Sequence, residues 1–131
     1  VTTPEVSSIR DADRIIGLLE AKEEIESYKL LLNRVRPQLI EQNDMMSVED
    51  VENILSCQKI GIIPEDTGII TSTNRGEPIV NNEKSLAGKA YMNVARRITG
   101  EDVPFLDIDE PKDIVGKLKK FFSGLGKQGK E

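Results

Sequence analysis

The 131-residue chain has no histidine and no tryptophan, one cysteine (Cys57), two tyrosines and three phenylalanines. Without histidine, Ser-His-Asp hydrolysis, Cys-His nucleophile pairs and histidine-based metal sites are excluded within it. A single cysteine cannot form an internal disulfide, and that thiol count is what a reducing compartment allows. Cys57 falls at the end of a predicted helix and reads as a structural thiol. No apolar run approaches the ~18 residues of a membrane span or takes the form of a secretory signal. The expectation is therefore a cytoplasmic location. The length suits one globular domain.

What the chain does have is charge, unevenly placed. Eighteen basic and 23 acidic residues give a net charge of −5. Residues 112–131 hold six lysines against Asp113 and Glu131, so the tail carries +4 and the body before it −9. An acidic body argues against non-specific nucleic-acid binding, while a basic tail interleaved with apolar residues suggests a separate interaction element.

Thr3-Pro4-Glu5 predicts a helix start, with a hydroxyl cap, a proline where no amide donor is needed, and an acid favoured by the helix dipole. Val6, Ile9, Ala12, Ile15, Ile16 and Leu19 continue it as one apolar stripe to about Glu20. Tyr28 to Asn33 and Lys59 to Ile63 are short, nearly continuous apolar runs, the pattern of buried parallel strands. Between them Ser47-Val48-Glu49-Asp50 has capping-box character and opens a helix through Leu55. A short helix is expected over 67–75, an extended stub at Pro78-Ile79-Val80, and a helix from about Glu83 to Thr99 closed by Gly100.

Strands alternating with helices imply an α/β architecture with a parallel sheet. Two strands are few for such a sheet, and Val1-Thr2-Thr3 reads as the end of a third. The expectation is the C-terminal half of a larger α/β domain, spanning 1–105, followed by a linker and an amphipathic helix over 106–131.

No Gly-rich phosphate cradle of either common form is present. Ligands of parallel sheets sit beyond the carboxyl ends of strands, and those ends present Asn33-Arg34 and Pro64-Glu65-Asp66. An Asn amide can both donate to and accept from an adenine edge, Arg can stack over it, and acids can receive amino or hydroxyl groups. The same residues are also ordinary turn chemistry after a strand. Asp11 and Asp13 stand two apart on a helix, a poor general acid/base pair, and read as a solvated face unless a partner meets them.

In the tail, Ile114, Val115, Leu118, Phe121, Phe122 and Leu125 fall within an arc of about 120° at helical spacing. Lys117, Lys119 and Lys120 lie outside it. Such a helix suits an anionic membrane surface, apolar stripe in the acyl boundary and ammonium groups at the headgroups. A helix packed on its own domain shares the period; Gly116, Gly124, Gly126 and Gly129 and the local positive charge argue against it. One copy should bind weakly, and two joined copies would gain avidity.

Together, Val1-Thr2-Thr3-Pro4-Glu5-Val6-Ser7-Ser8-Ile9-Arg10-Asp11-Ala12-Asp13-Arg14, Leu32-Asn33-Arg34, Gly61-Ile62-Ile63-Pro64-Glu65-Asp66, Asn74-Arg75-Gly76-Glu77-Pro78-Ile79 and the Lys/Phe tail resemble, in order and spacing, one family. It is the C-terminal half of the septum site-determining branch of the deviant Walker A (ParA/MinD) ATPases, and the resemblance spans essentially the whole chain.

The resemblance implies a P-loop ATPase using ATP and Mg2+ that forms a homodimer on ATP. It also implies binding to the inner face of the cell membrane through the tail, recruitment of the division inhibitor MinC, and release on hydrolysis stimulated in some bacteria by MinE. Asn33, Arg34, Pro64, Glu65 and Asp66 match the adenine side of the site, and Glu5 the residue that reaches nucleotide across the dimer. Ser7, Asp11 and Asp13 fall where the family places dimer and MinC or MinE contacts. The Walker A loop and the magnesium ligands belong to a half not present, so this stretch alone is expected not to hydrolyse ATP. A non-enzymatic membrane-associated module and a ParA-type positioning ATPase are the alternatives; the acidic body argues against a DNA-binding ParA.

Overall fold

The computed structural model describes residues 1–108. Two six-residue strands, β1 (Leu30–Val35) and β2 (Lys59–Pro64), pair in parallel. Their apolar composition has a direct cause, since both faces of the pair are covered. On one face lie α1 (Val6–Glu20) and α3 (Val48–Leu55), which close over Leu30, Leu32, Val35 and Cys57 with Ile9, Val51 and Leu55. On the other lies α5 (Leu86–Ile98), whose Ala87, Ala90 and Val94 pack around Ile63. A short α2 (Pro37–Glu41), α4 (Gly68–Asn74) and a 3-10 turn (Ile79–Asn81) complete the described elements.

Thr2 forms an isolated parallel bridge with Leu32, its amide donating to the Leu31 carbonyl at 3.1 Å and its carbonyl accepting from Asn33 at 2.8 Å. The strand end expected at the N-terminus is therefore seen as one bridge.

The helix starts follow local chemistry. Ser47 Oγ accepts from the Asp50 amide at 3.1 Å, and Ser85 Oγ from the Gly88 amide at 2.9 Å, each satisfying an orphan donor. α1 differs from expectation, because it begins at Val6 with Glu5 as an uncapped N-cap rather than at Thr3. The Thr3 hydroxyl is occupied elsewhere, donating to Ser8 Oγ at 2.9 Å. The segment 79–81 is a 3-10 turn instead of an extended stub, and α2, opened by Pro37, was not foreseen. β1 also starts two residues later than its apolar run, since Tyr28 and Lys29 precede the ladder.

Gly61 explains how closely α5 approaches the sheet. A Cβ there would collide with Val94 Cγ2 and lie 2.7 Å from Leu31 Cδ1, so only glycine allows the contact. After α5, residues 101–108 run without regular structure. Arg97 holds them, donating to the carbonyls of Val103 at 2.8 Å, Pro104 at 2.9 Å and Ile60 at 2.9 Å. The amphipathic tail, including Ile114, Val115, Lys117, Leu118, Lys119, Lys120, Phe121, Phe122 and Leu125, lies outside the described residues. No helix of the described residues is long and apolar enough to cross a membrane.

Candidate functional site

The carboxyl ends of β1 and β2 stand side by side. Val35 pairs with Pro64, and the Glu65 amide donates to the Val35 carbonyl at 2.9 Å. β1 ends irregularly, with a register shift between Leu32 and Val35 and with Arg34 in the left-handed region at φ 56°. That conformation costs a residue bearing a Cβ on the order of 1 kcal/mol. Asn33 Oδ1 supports it by accepting from the Arg34 amide at 2.9 Å, and Tyr91 of α5 donates to the same oxygen at 3.4 Å. The Asn33 side-chain amide retains its NH2 as a donor.

Glu65 is the electrostatic centre of the strand ends. Arg36 grips its carboxylate in a two-pronged ion pair, and Arg34 Nη2 adds a contact at 3.2 Å. The Arg36 bonds, followed by those of Arg34, hold the Glu65 carboxyl below the usual glutamate range despite some desolvation.

Asp66 is committed inward. Its Oδ1 accepts from the Gly68 amide at 2.7 Å and its Oδ2 from the Ser85 hydroxyl at 2.6 Å. The same Ser85 oxygen caps α5, so one Asp–Ser–amide chain fixes the loop after β2 to the first turn of α5. Asp66 in this geometry shapes the loop, leaving backbone groups and Glu65 to face outward.

Pro64, Glu65 and Asp66 border a cavity of about 610 Å³ together with Val35, Arg36 and Ile108. Arg34 is tied to it through Glu65. Asn33 borders a different cavity of about 480 Å³, between α1 and the sheet, and Glu5 a third of about 450 Å³ beside Met45 and Met46. The six residues matched to nucleotide contact are thus brought together in part: three share one cavity, one joins by an ion pair, and two line neighbouring clefts. Arg36 and Ile108 were missed by sequence reasoning. Arg36 could have been found as a cation two residues past Arg34 and just before a helix-opening proline; Ile108 gave no signal. Among the described residues no group of three or more acidic or cysteine side chains is arranged to hold a metal ion.

On α1, Ser7, Asp11 and Asp13 are all exposed. Asp11 lies 3.8 Å from Arg14 with both side chains about three-quarters exposed, a pair worth little. The helix buries only Ile9, while Val6, Ile15 and Leu18 are more than half exposed. Its predicted stripe is therefore only partly covered.

No family model matches the chain. It is 54% identical over 126 residues to a putative septum site-determining protein MinD of Chlorella vulgaris, across 95% of this chain and 44% of that one. The septum site-determining protein MinD of Synechocystis is 56% identical over 108 residues, across 82% and 40%. Among solved structures, the MinD cell division protein of Aquifex aeolicus matches with a TM-score of 0.76 and 48% identity, over 80% of this chain and 44% of that one. The MinC:MinD cell division protein complex of the same organism gives 0.77 and 48%, over 81% and 43%. The cell division ATPase MinD of Pyrococcus furiosus gives 0.65 and 26%, over 76% and 40%. The chain thus spans less than half the length of the relatives it matches. Identity near one half along almost the entire chain, joined to the same parallel sheet with flanking helices, means that it belongs to the septum site-determining MinD family and corresponds to the C-terminal part of a MinD protein.

Proposed function

We propose that the chain supplies the adenine side of the nucleotide site of a MinD-type ATPase that acts in placing the division septum. The observation that carries this reading is the adjoining ends of β1 and β2, where a cavity of about 610 Å³ is bordered by Pro64-Glu65-Asp66 and Glu65 is tied to Arg34. Val35 and Pro64 offer apolar surface to a base and the loop's backbone groups offer hydrogen bonds to its edge, while Asn33, on the border of a separate cleft at the end of β1, would turn its NH2 toward the same edge. Mg2+ and the phosphates would be held by residues beyond this chain, and Glu5 would approach nucleotide from a second copy.

In the complete protein, ATP-driven dimerisation would pair two basic tails on the inner face of the cell membrane, where avidity converts weak single-tail binding into attachment. The exposed Ser7, Asp11 and Asp13 side of α1 would meet the division inhibitor MinC, with MinE competing there in organisms that have it. The Aquifex relative solved in complex with MinC supports this assignment of partner.

The test is titration of the complete protein with ATP. Asn33→Ala is expected to weaken ATP about tenfold, the loss of one or two hydrogen bonds to a base edge, with an unchanged far-UV spectrum. Unchanged ATP affinity would remove the base from this position.

A further inference from the structure

The segment after α5 returns to the candidate base cavity. At its start the Arg97 guanidinium gathers three carbonyls, those of Ile60, Val103 and Pro104, and its carbon lies 4.1 Å from the centre of the Phe105 ring. Lys59 Nζ stands 5.2 Å from the same ring. Beyond this clamp, Leu106 packs against the Ile63 cluster and Ile108 against the Leu32 cluster. The strap therefore runs from the beginning of β2, at Lys59 and Ile60, to its end, where Ile108 becomes a wall of the cavity beside Val35 and Pro64.

The chemistry of the other walls makes this position informative. Glu65 is engaged by two guanidiniums, and Asp66 by Gly68 and Ser85. A purine needs apolar surface against its faces, and the strand ends provide part of it, through Val35 and Pro64. Leu86 of α5, Pro37 of α2 and Ile108 add apolar wall from outside the strand ends, and of the three only Ile108 comes from an irregular segment, whose start is fixed by the Arg97 clamp.

We propose that Ile108 is a base-contacting residue of the nucleotide site and that Arg97 is the positioning residue that sets it there. The inference rests on the adenine-site reading above. Arg97 touches no part of the cavity; it acts by fixing residues 103–105, from which the chain reaches Ile108 in three residues.

The experiment titrates the complete protein with Mg-ADP and, separately, with inorganic pyrophosphate, and reads the ratio of the two affinities. Ile108→Ala is expected to weaken ADP about three- to tenfold while leaving pyrophosphate unchanged, as the loss of a partly buried aliphatic contact with the base requires. Arg97→Gln is expected to show the same base-selective loss, and Arg97→Lys, which can keep one of the three carbonyl bonds, a smaller one. Ile108→Val, a volume-sparing change, serves if the alanine variant folds poorly, with a loss of about twofold.

An unchanged ratio in the Ile108 variants alongside a reduced ADP affinity in Asn33→Ala would overturn the inference and leave the adenine site standing. No change in any variant, Asn33→Ala included, would overturn the site itself. Equal weakening of ADP and pyrophosphate would show that the strap only supports the fold, and would overturn the inference as well.

Discussion

Ser85 Oγ lies 2.6 Å from Asp66 Oδ2, so the first turn of α5 is bonded directly to the loop that leaves β2. The serine serves two masters at once, donating to the carboxylate and accepting from the Gly88 amide at 2.9 Å, and it is 5% exposed. Removing it orphans a buried amide and half of a carboxylate together.

Ser85→Ala is expected to lower stability by about 1–2 kcal/mol. Urea denaturation of the complete protein would read this as a lower midpoint with an unchanged slope. The same variant should weaken ATP, because the loop carrying Pro64 and Glu65 loses its anchor.

Gly61→Ala is expected to destabilise by about 1–3 kcal/mol, the range for forcing a methyl into a packed contact. The obstructing atoms belong to Val94 and Leu31, so adding Val94→Ala should recover part of the loss. A purely additive double mutant would show that the helix-to-strand approach is not what glycine serves.

The Glu65 carboxyl is held low by Arg36 and then Arg34. A folded-state value below the unfolded one means that this contribution to stability is present above the ordinary glutamate range and is lost as pH falls through the lowered value. Wild type and Glu65→Gln should therefore differ in denaturation midpoint near pH 7 and converge as pH falls below the ordinary glutamate range and through the lowered value. Glu52 behaves alike: burial pushes it up, but the bonds from the Lys59 side chain and amide outweigh that and leave it lowered.

Phe122→Asp in the complete protein is expected to abolish sedimentation with anionic vesicles in the presence of ATP, by placing a charge in the acyl boundary. Retained sedimentation would move the membrane anchor to another segment.

Much of the fold was legible because its signals are local. Ser47 caps α3 and α5 follows its apolar stripe; both strands announce themselves as runs without polar alternation. What could not be read depends on competition between neighbours. Thr3 looked like a cap, yet its hydroxyl bonds Ser8, and α1 begins two residues later than that cap would place it. At the site, Asn33-Arg34 and Pro64-Glu65-Asp66 were found as residues at strand ends, but their division of labour was not. That Asp66 turns inward follows from Ser85, 19 positions away in sequence, and that Ile108 reaches the cavity follows from a clamp made by Arg97. Neither long-range relation leaves a periodic trace.

Cys57 gives this architecture an internal clock. Its thiol is 6% exposed within the cluster under α1 and α3, and burial pushes its pKa up. With so little of the thiol exposed at the wall of the cavity under α1, alkylation is slowed by burial and speeds up when that layer parts from the strands. As the one sulfhydryl of this stretch, its labelling rate in native buffer reports how often the layer opens. Compared with and without nucleotide, it would reveal whether ligand at the carboxyl ends of the strands stiffens this layer.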